Sequence, residues 1–372
     1  MRVLYFTRDY TPHDYRFLAA LADSEHEVFS LRLERGKRQL EDRALPVQVQ
    51  QVRWKGGQQP ARWRDYPGLA WDLKRVLRVV RPDVVHAGPV PNVAFLAALS
   101  GFHPLVSMSW GSDLLKDVDR SRWQQWTARY ALQRSDVLVG DCQAVQQKAE
   151  VLGFPKERVV LFPWGVDLVQ FSPGREIDLR QRLGWQDAFV LLSLRSWEPV
   201  YGVDVIARGF ALAARHIPEL RLALLGGGSQ ANTIREILRQ NGMEDRVYYG
   251  GQVSNPRLPE FYRLANLYLS ASHSDGSSVS LMEALGCGCP VLVSDIPGNR
   301  EWIEGSQAGR LFRDGDAQDL AEGIRQAYRE RDSLDARAQA ARALAQERAD
   351  WTQNFKKLLQ AYQMAVYRVS GG

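Results

Sequence analysis

Ser274-Asp275-Gly276-Ser277-Ser278-Val279-Ser280-Leu281-Met282-Glu283 sits between two apolar runs, Leu267-Tyr268-Leu269-Ser270 before it and Val291-Leu292-Val293-Ser294 after it. A short helical stretch follows the small residues and stops at Gly286, with Pro290 just beyond. Strand, small-residue loop, helix start and second strand together describe an α/β unit with a ready anion site. The first helical turn has unpaired N–H groups, and its dipole favours negative charge. Serines and glycine let a ligand approach the backbone closely. Asp275 and Glu283 bracket this cradle, a combination that suits a ligand part phosphate and part polyol, such as a nucleotide sugar. Two structural readings stand beside it. Ser280 to Glu283 has the spacing of a capping box, and Asp275-Gly276 is an ordinary turn dipeptide.

Outward from that stretch, apolar strands alternate with amphipathic helices, the pattern of mostly parallel sheets. In the first half the strands are expected near 3–6, 27–30, 47–52, 84–86, 105–109, 137–139 and 159–162. Helices fall near 15–23, 67–80, 93–99, 122–133 and 144–152. In the second half the strands are expected near 189–194, 221–225, 247–249, 267–270, 291–293 and 309–312. Helices fall there near 203–215, 233–241 and 258–265. A chain of 372 residues fits two domains better than one. The segment 162–173, with two prolines and a glycine, reads as the hinge. The expected domains are 1–165, joined by a last helix at about 351–372, and 166–350. Two doubly wound domains facing a cleft would hold ligand at the carboxyl ends of their strands.

Composition, 45% hydrophobic and 24% charged, is that of a globular protein and excludes a disordered chain. No apolar run reaches about eighteen residues, so no membrane-spanning helix is expected. Met1 to Asp9 reads as a first strand rather than a signal peptide. Cys142, Cys287 and Cys289 form neither a disulfide framework nor paired metal-ligand spacings. Cys287 and Cys289 read as small buried thiols in a tight turn, and the compartment as the reducing cytoplasm.

The net charge of +5 is carried by residues 1–165, while 166–372 are close to neutral. The excess gathers at Arg32, Arg35, Lys37, Arg38, Arg53, Lys55, Arg62, Arg64, Lys74, Arg75, Arg78 and Arg81, interspersed with Trp54, Trp63, Tyr66 and Trp71. The default is a solvated basic face. The alternative is peripheral contact with an anionic membrane surface, at the inner face of the membrane. No recognised nucleic-acid-binding motif is present, and nucleic acid is not an expected partner.

The stretch 265–303 resembles the donor site of glycosyltransferase family 4, retaining enzymes of the GT-B architecture. The features that carry the resemblance are Asp275, Glu283, Gly288-Cys289-Pro290 and Gly298-Asn299-Arg300-Glu301. The segment 163–173 is similar to the family's inter-domain linker. The resemblance implies two Rossmann-like domains, with a C-terminal helix returning to the first. It also implies catalytic roles for Arg195, Asp275 and Glu283, with Arg195 meeting the donor's diphosphate, Glu283 the ribose and Asp275 the transferred sugar. The donor-binding set it implies is Tyr201, Gly251, Val253, Gly276, Ser277, Ser278, Val279 and Ser280. Gly226-Gly227-Gly228-Ser229 ends a strand and is either part of that site or a plain tight turn.

Several positions depart from the family pattern. Tyr201 stands where the family has a Lys, with Arg300 as a candidate replacement cation. Asp275 is one methylene shorter than the family's Glu. The loop Thr11-Pro12-His13-Asp14-Tyr15 lacks the usual Gly-Gly, and Trp110 stands where many relatives have a His. His13, Asp14, His86, Trp110 and Asp113 are the acceptor-side candidates. The implied reaction moves a sugar from a nucleoside diphosphate, UDP first and GDP next on family frequency, to a sugar, lipid-linked or small-molecule hydroxyl. Neither a metal nor a cofactor is expected, the nucleotide sugar being a substrate. The alternatives are a non-catalytic nucleotide-sugar-binding protein and a GT-B epimerase or phosphorylase.

Overall fold

The computed structural model describes residues 1–33, 41, 43–57 and 61–371, and they form two compact units. Met1–Phe162 and Phe355–Gly372 make the first, and Pro163–Asn354 the second. Three of the basic residues singled out above, Arg35, Lys37 and Arg38, lie outside the described residues.

Among the described residues the first unit holds seven strands: β1 Arg2–Thr7, β2 Glu27–Arg32, β3 Val49–Gln51, β4 Val84–Gly88, β5 Leu105–Met108, β6 Val137–Gly140 and β7 Val159–Leu161. They are parallel, in the order β3-β2-β1-β4-β5-β6-β7. The second unit holds β8 Phe189–Ser193, β9 Leu220–Leu225, β10 Val247–Gly251, β11 Leu267–Ser270, β12 Val291–Ser294 and β13 Gly309–Phe312. These too are parallel, in the order β10-β9-β8-β11-β12-β13. Central strands such as β4, β5, β8 and β11 are buried along their whole length. A parallel strand is covered by helices on both faces, so it reads as a continuous apolar run rather than an alternation.

The same physics sets the helices. Tyr66–Val80 buries Leu69, Leu73, Val76, Leu77 and Val80 on one stripe, and its chain reverses at Arg81 in the left-handed conformation. The last helix, Trp351–Ser370, buries Leu358, Ala361, Tyr362 and Ala365, and its residues from Phe355 onward belong to the first unit. Helices at Ile177–Leu183, Pro297–Ile303, Ala317–Arg329 and Leu334–Arg348 were not expected. The three cysteines are free and buried. Burial pushes the Cys287 thiol up to about 12 and raises Cys289 further, which leaves both unreactive. Among the described residues no helix is long and apolar enough to cross a membrane.

Candidate functional site

In the second unit the strand order reverses between β8 and β11, which pair directly. At such a switch point the connections leave in opposite directions and open a crevice at the carboxyl ends of the strands. The loop after β8 carries Arg195 and Tyr201, and the loop after β11 carries Asp275 to Ser278. His273 N donates to Val200 O at 2.9 Å and stitches the two loops together. Gly202, with φ +58, allows the closest approach: a Cβ there would meet Ala271 O at 2.2 Å.

Arg195 is the centre of this site. Its side chain is 13% exposed, and Nη2 lies 2.7 Å from Asp275 Oδ2, outside hydrogen-bond alignment. Nη1 donates to Ser278 Oγ at 3.1 Å and Ser280 Oγ at 3.2 Å. The Tyr201 ring lies under the guanidinium, 4.3 Å from centroid to Cζ. Among the described residues Nε has no hydrogen-bond partner although it is buried. Burial works against the charge, but Asp275 foremost, then Tyr268, Tyr201 and Tyr262, hold the pKa above its ordinary value. The result is a permanently charged cation at a pocket of hydroxyls, with one donor still unused.

The helix behind the loop runs Val279–Gly286, with Ser278 at its N-cap. Ser280 therefore lies inside the first turn, and the capping box that its spacing suggested does not form: the N-cap makes no side-chain hydrogen bond. Glu283 is buried and accepts instead from Tyr262 Oη, 2.8 Å from its Oε2. Tyr268 donates to Ser280 Oγ at 2.8 Å, and burial pushes its phenol up to about 12, so it stays a donor. Trp302 Nε1 reaches Ser277 Oγ at 3.3 Å. Tyr262, Tyr268 and Trp302 were not anticipated, because each acts across long sequence separations. Arg300 is tied to Asp295 at the surface and is not held at the Arg195 cluster.

Gly276 N is 3.1 Å from its neighbour's Asp275 Oδ1. Gly251, φ +62, ends β10, and its carbonyl accepts from Gly226 N at 2.6 Å. Val253 is half-buried against the core of this unit. The glycine turn 226–229 is fixed to the loop after β8. Trp197 N donates to Gly227 O at 3.0 Å, and Glu198 Oε1 accepts from Ser229 N at 3.0 Å.

In the first unit, Asp14, His86 and Asp113 prove to be interior groups rather than surface ones. Asp14 Oδ1 accepts from Tyr5 Oη at 3.1 Å and Thr7 Oγ1 at 2.8 Å, and Oδ2 from Thr11 N at 2.9 Å. The loop expected to face a ligand is thus a capping box, Thr11 with Asp14, that starts the helix Pro12–Ala22. Asp113 ties the β4 and β5 loops together, accepting from Val90 N at 2.9 Å, Ser109 Oγ at 2.7 Å and Trp110 N at 2.8 Å. Both carboxyls are raised by burial, against the hydrogen bonds that lower them. Contact with an acceptor would require these groups to leave partners they already hold. His13 and Trp110, both half-buried, do meet, ring centroids 5.8 Å apart.

His86 is buried on β4, with Nδ1 2.6 Å from Tyr362 Oη, and burial lowers its pKa from 6.5 to about 3. A histidine whose folded pKa is depressed is protonated first in the unfolded chain, so its contribution to stability falls as pH drops from 6.5 towards 3. Between pH 7 and pH 5 this group alone is expected to remove about 2 kcal/mol. Denaturant unfolding of wild type and His86→Gln at both pH values checks it: the variant should lose distinctly less stability on acidification, and equal losses would refute the assignment.

Comparison with known proteins follows the same division. The family model described as Glycosyl transferases group 1 matches residues 176–344, and that described as Glycosyltransferase Family 4 matches 13–170. A D-inositol 3-phosphate glycosyltransferase of Nocardia farcinica is 26% identical over 244 residues, 63% of this chain and 54% of that protein. A mannosylfructose-phosphate synthase of Agrobacterium fabrum is 30% identical over 156 residues, 39% of this chain and 34% of that protein. The chain thus spans about half or less of the length of these curated relatives. Anabaena HepE, solved in complex with UDP and glucose, superposes with a TM-score of 0.81 at 20% identity, over 98% of this chain and 99% of that one. Sucrose-phosphate synthase of Thermosynechococcus elongatus gives 0.79 at 17% identity over 98% of each. With one family model on each sheet and full-length structural agreement, the chain belongs to the glycosyltransferases of the family 4 type, on the two-domain GT-B fold.

Proposed function

We propose that this chain is a retaining glycosyltransferase that moves a sugar from a nucleoside diphosphate, UDP in the first instance, to a hydroxyl acceptor in glycan or glycolipid assembly. The second unit takes the donor and the first takes the acceptor. The observation that carries the reading is Arg195, a buried cation with an unused donor, set among hydroxyls beside the start of the helix Val279–Gly286. A departing diphosphate gains negative charge, and fixed donors aimed at it lower the barrier. Arg195 and the N–H groups of that first turn supply those donors, with no divalent ion or cofactor. Glu283 takes the ribose hydroxyls and Asp275 the hydroxyls of the transferred sugar. The leaving phosphate accepts the acceptor's proton on the same face, which retains the anomeric configuration. The HepE complex with UDP and glucose supports UDP over other nucleotides.

Calorimetric titration with UDP, GDP and ADP tests the donor class. UDP is expected to bind selectively, and Glu283→Ala to weaken it at least about tenfold, the worth of one charge-assisted contact. Glu283→Gln keeps an acceptor for Tyr262, so it separates lost ribose contact from local disturbance. Failure of folded wild type to bind any nucleotide would overturn the proposal.

A further inference from the structure

The first unit carries a second surface that sugar transfer does not explain. The helices Tyr66–Val80 and Arg122–Gln133 both pack on the short helix Phe95–Ser100. Phe95 joins them: its ring lies 5.7 Å from Tyr66, 6.2 Å from Trp123, 5.5 Å from Trp126 and 5.3 Å from Tyr130. Around this seam large aromatic side chains face outward. Trp123 and Trp126, stacked at 5.1 Å, are each 49% exposed, while Trp63 is 71% and Trp71 61% exposed. A folded chain seldom leaves indoles so open without a partner for them.

The charges on the same two helices all have one sign. Lys74, Arg75 and Arg78 are exposed on the first, and Arg122 and Arg129 on the second. Asp72 is the only acid in either helix, and it is buried and accepts from Lys55 N at 2.7 Å. Just upstream of the second helix, Asp117 pairs with Arg120 and Asp119 with Lys148. Asp65, exposed two residues beyond Trp63, accepts from Arg62 N at 2.9 Å. The surface therefore presents more cations than acids among open indoles.

We propose that this face docks on a bilayer rich in anionic lipid headgroups. Indole suits the boundary between headgroups and acyl chains, since its body is apolar and its N–H still reaches water. Arginine and lysine lay their stems along the same boundary and keep their charges at the headgroups. A nucleic acid would use the cations but would leave Val79, 75% exposed beside Arg78, and the stacked indoles without an apolar environment. Docking here is independent of sugar transfer and is scored without it.

The test is sedimentation of the full chain with phosphatidylglycerol-containing and with pure phosphatidylcholine vesicles, at about 0.1 M salt and at about 1 M salt. Binding is expected to the anionic vesicles only, and to be lost at high salt. Arg75→Glu/Arg78→Glu should weaken it at least about tenfold, since each cation near such a surface is worth severalfold. Circular dichroism checks that the variant is folded. Trp123→Phe/Trp126→Phe keeps the packing on Phe95, and should still sediment while losing much of the fluorescence quenching by brominated lipid. Equal binding to neutral vesicles, no binding to anionic ones, unchanged quenching in the tryptophan variant, or tighter binding to duplex DNA than to vesicles would each overturn the proposal.

Discussion

Replacing Arg195 with alanine is expected to lower kcat/KM for the sugar donor by about a hundred- to a thousandfold. UDP binding should loosen about ten- to hundredfold, while uridine, which has no phosphate, should bind as before. The size of the effect follows from the geometry. The guanidinium is withdrawn from water, so its interaction with a phosphate is screened far less than at the surface. Its place is fixed by two serine hydroxyls, a carboxylate and a ring, so little reorganisation is needed as charge builds on the leaving group. The change also strips Asp275 of its counter-charge. Arg195→Ala/Asp275→Asn should therefore recover melting temperature lost by the single variant without recovering activity. Full activity in a folded Arg195→Ala enzyme would end the role assigned to it.

The Tyr201 ring separates this site from one that uses two cations. Stacking at 4.3 Å holds the guanidinium, a contact worth about 0.5–2 kcal/mol. Tyr201→Phe should then behave nearly as wild type, and Tyr201→Ala should lose up to about thirtyfold in donor affinity. Tyr201→Lys would set a second positive charge against Arg195 and remove the ring that orients it, so a loss is expected there too. A large gain from that lysine would instead mark Tyr201 as a decayed position and favour the non-catalytic reading.

The central strands were legible because parallel strands buried on both faces leave short apolar runs bounded by turn residues. The missed helices lack such marks. Leu334–Arg348 buries only Ala341 and Ala345, and alanines among arginines draw no visible stripe. In the candidate site, Arg195, Asp275 and Glu283 were picked out by resemblance to the family's donor-site pattern, and the structure sets Arg195 beside Asp275. Their partners were not, because Tyr262 meets Glu283 across 21 residues and Trp302 meets Ser277 across 25. Asp14, His86 and Asp113 show the opposite failure. Each stands near a strand end where a ligand group would be sought, but sequence does not show that its side chain turns inward, Asp14 to β1 and Thr11, His86 to Tyr362, and Asp113 to the loops after β4 and β5.

Gly298→Ala is expected to cut kcat about a hundredfold while destabilising the fold by no more than about 1–3 kcal/mol. Gly298 lies in the helix Pro297–Ile303, directly behind the loop that carries Asp275. A Cβ there would sit 2.3 Å from Gly276 O and 2.7 Å from Asp275 O. Both atoms are backbone, so no side chain can rotate away and the loop itself must retreat by about 1 Å, enough to cost about a hundredfold in a positioned site. The strain, about 1–3 kcal/mol for overpacking, is partly offset because alanine favours a helix by up to about 1 kcal/mol over glycine. Gly68→Ala supplies the control for that offset, since it also lies in a helix but meets nothing within 4 Å. It should be neutral or slightly stabilising. The loop's retreat draws Asp275 off Arg195, so Gly298→Ala should depress kcat more than it raises KM for the donor, the mark of lost alignment rather than lost binding. A folded Gly298→Ala enzyme with wild-type kcat would show that the seat of this loop does not set the reaction.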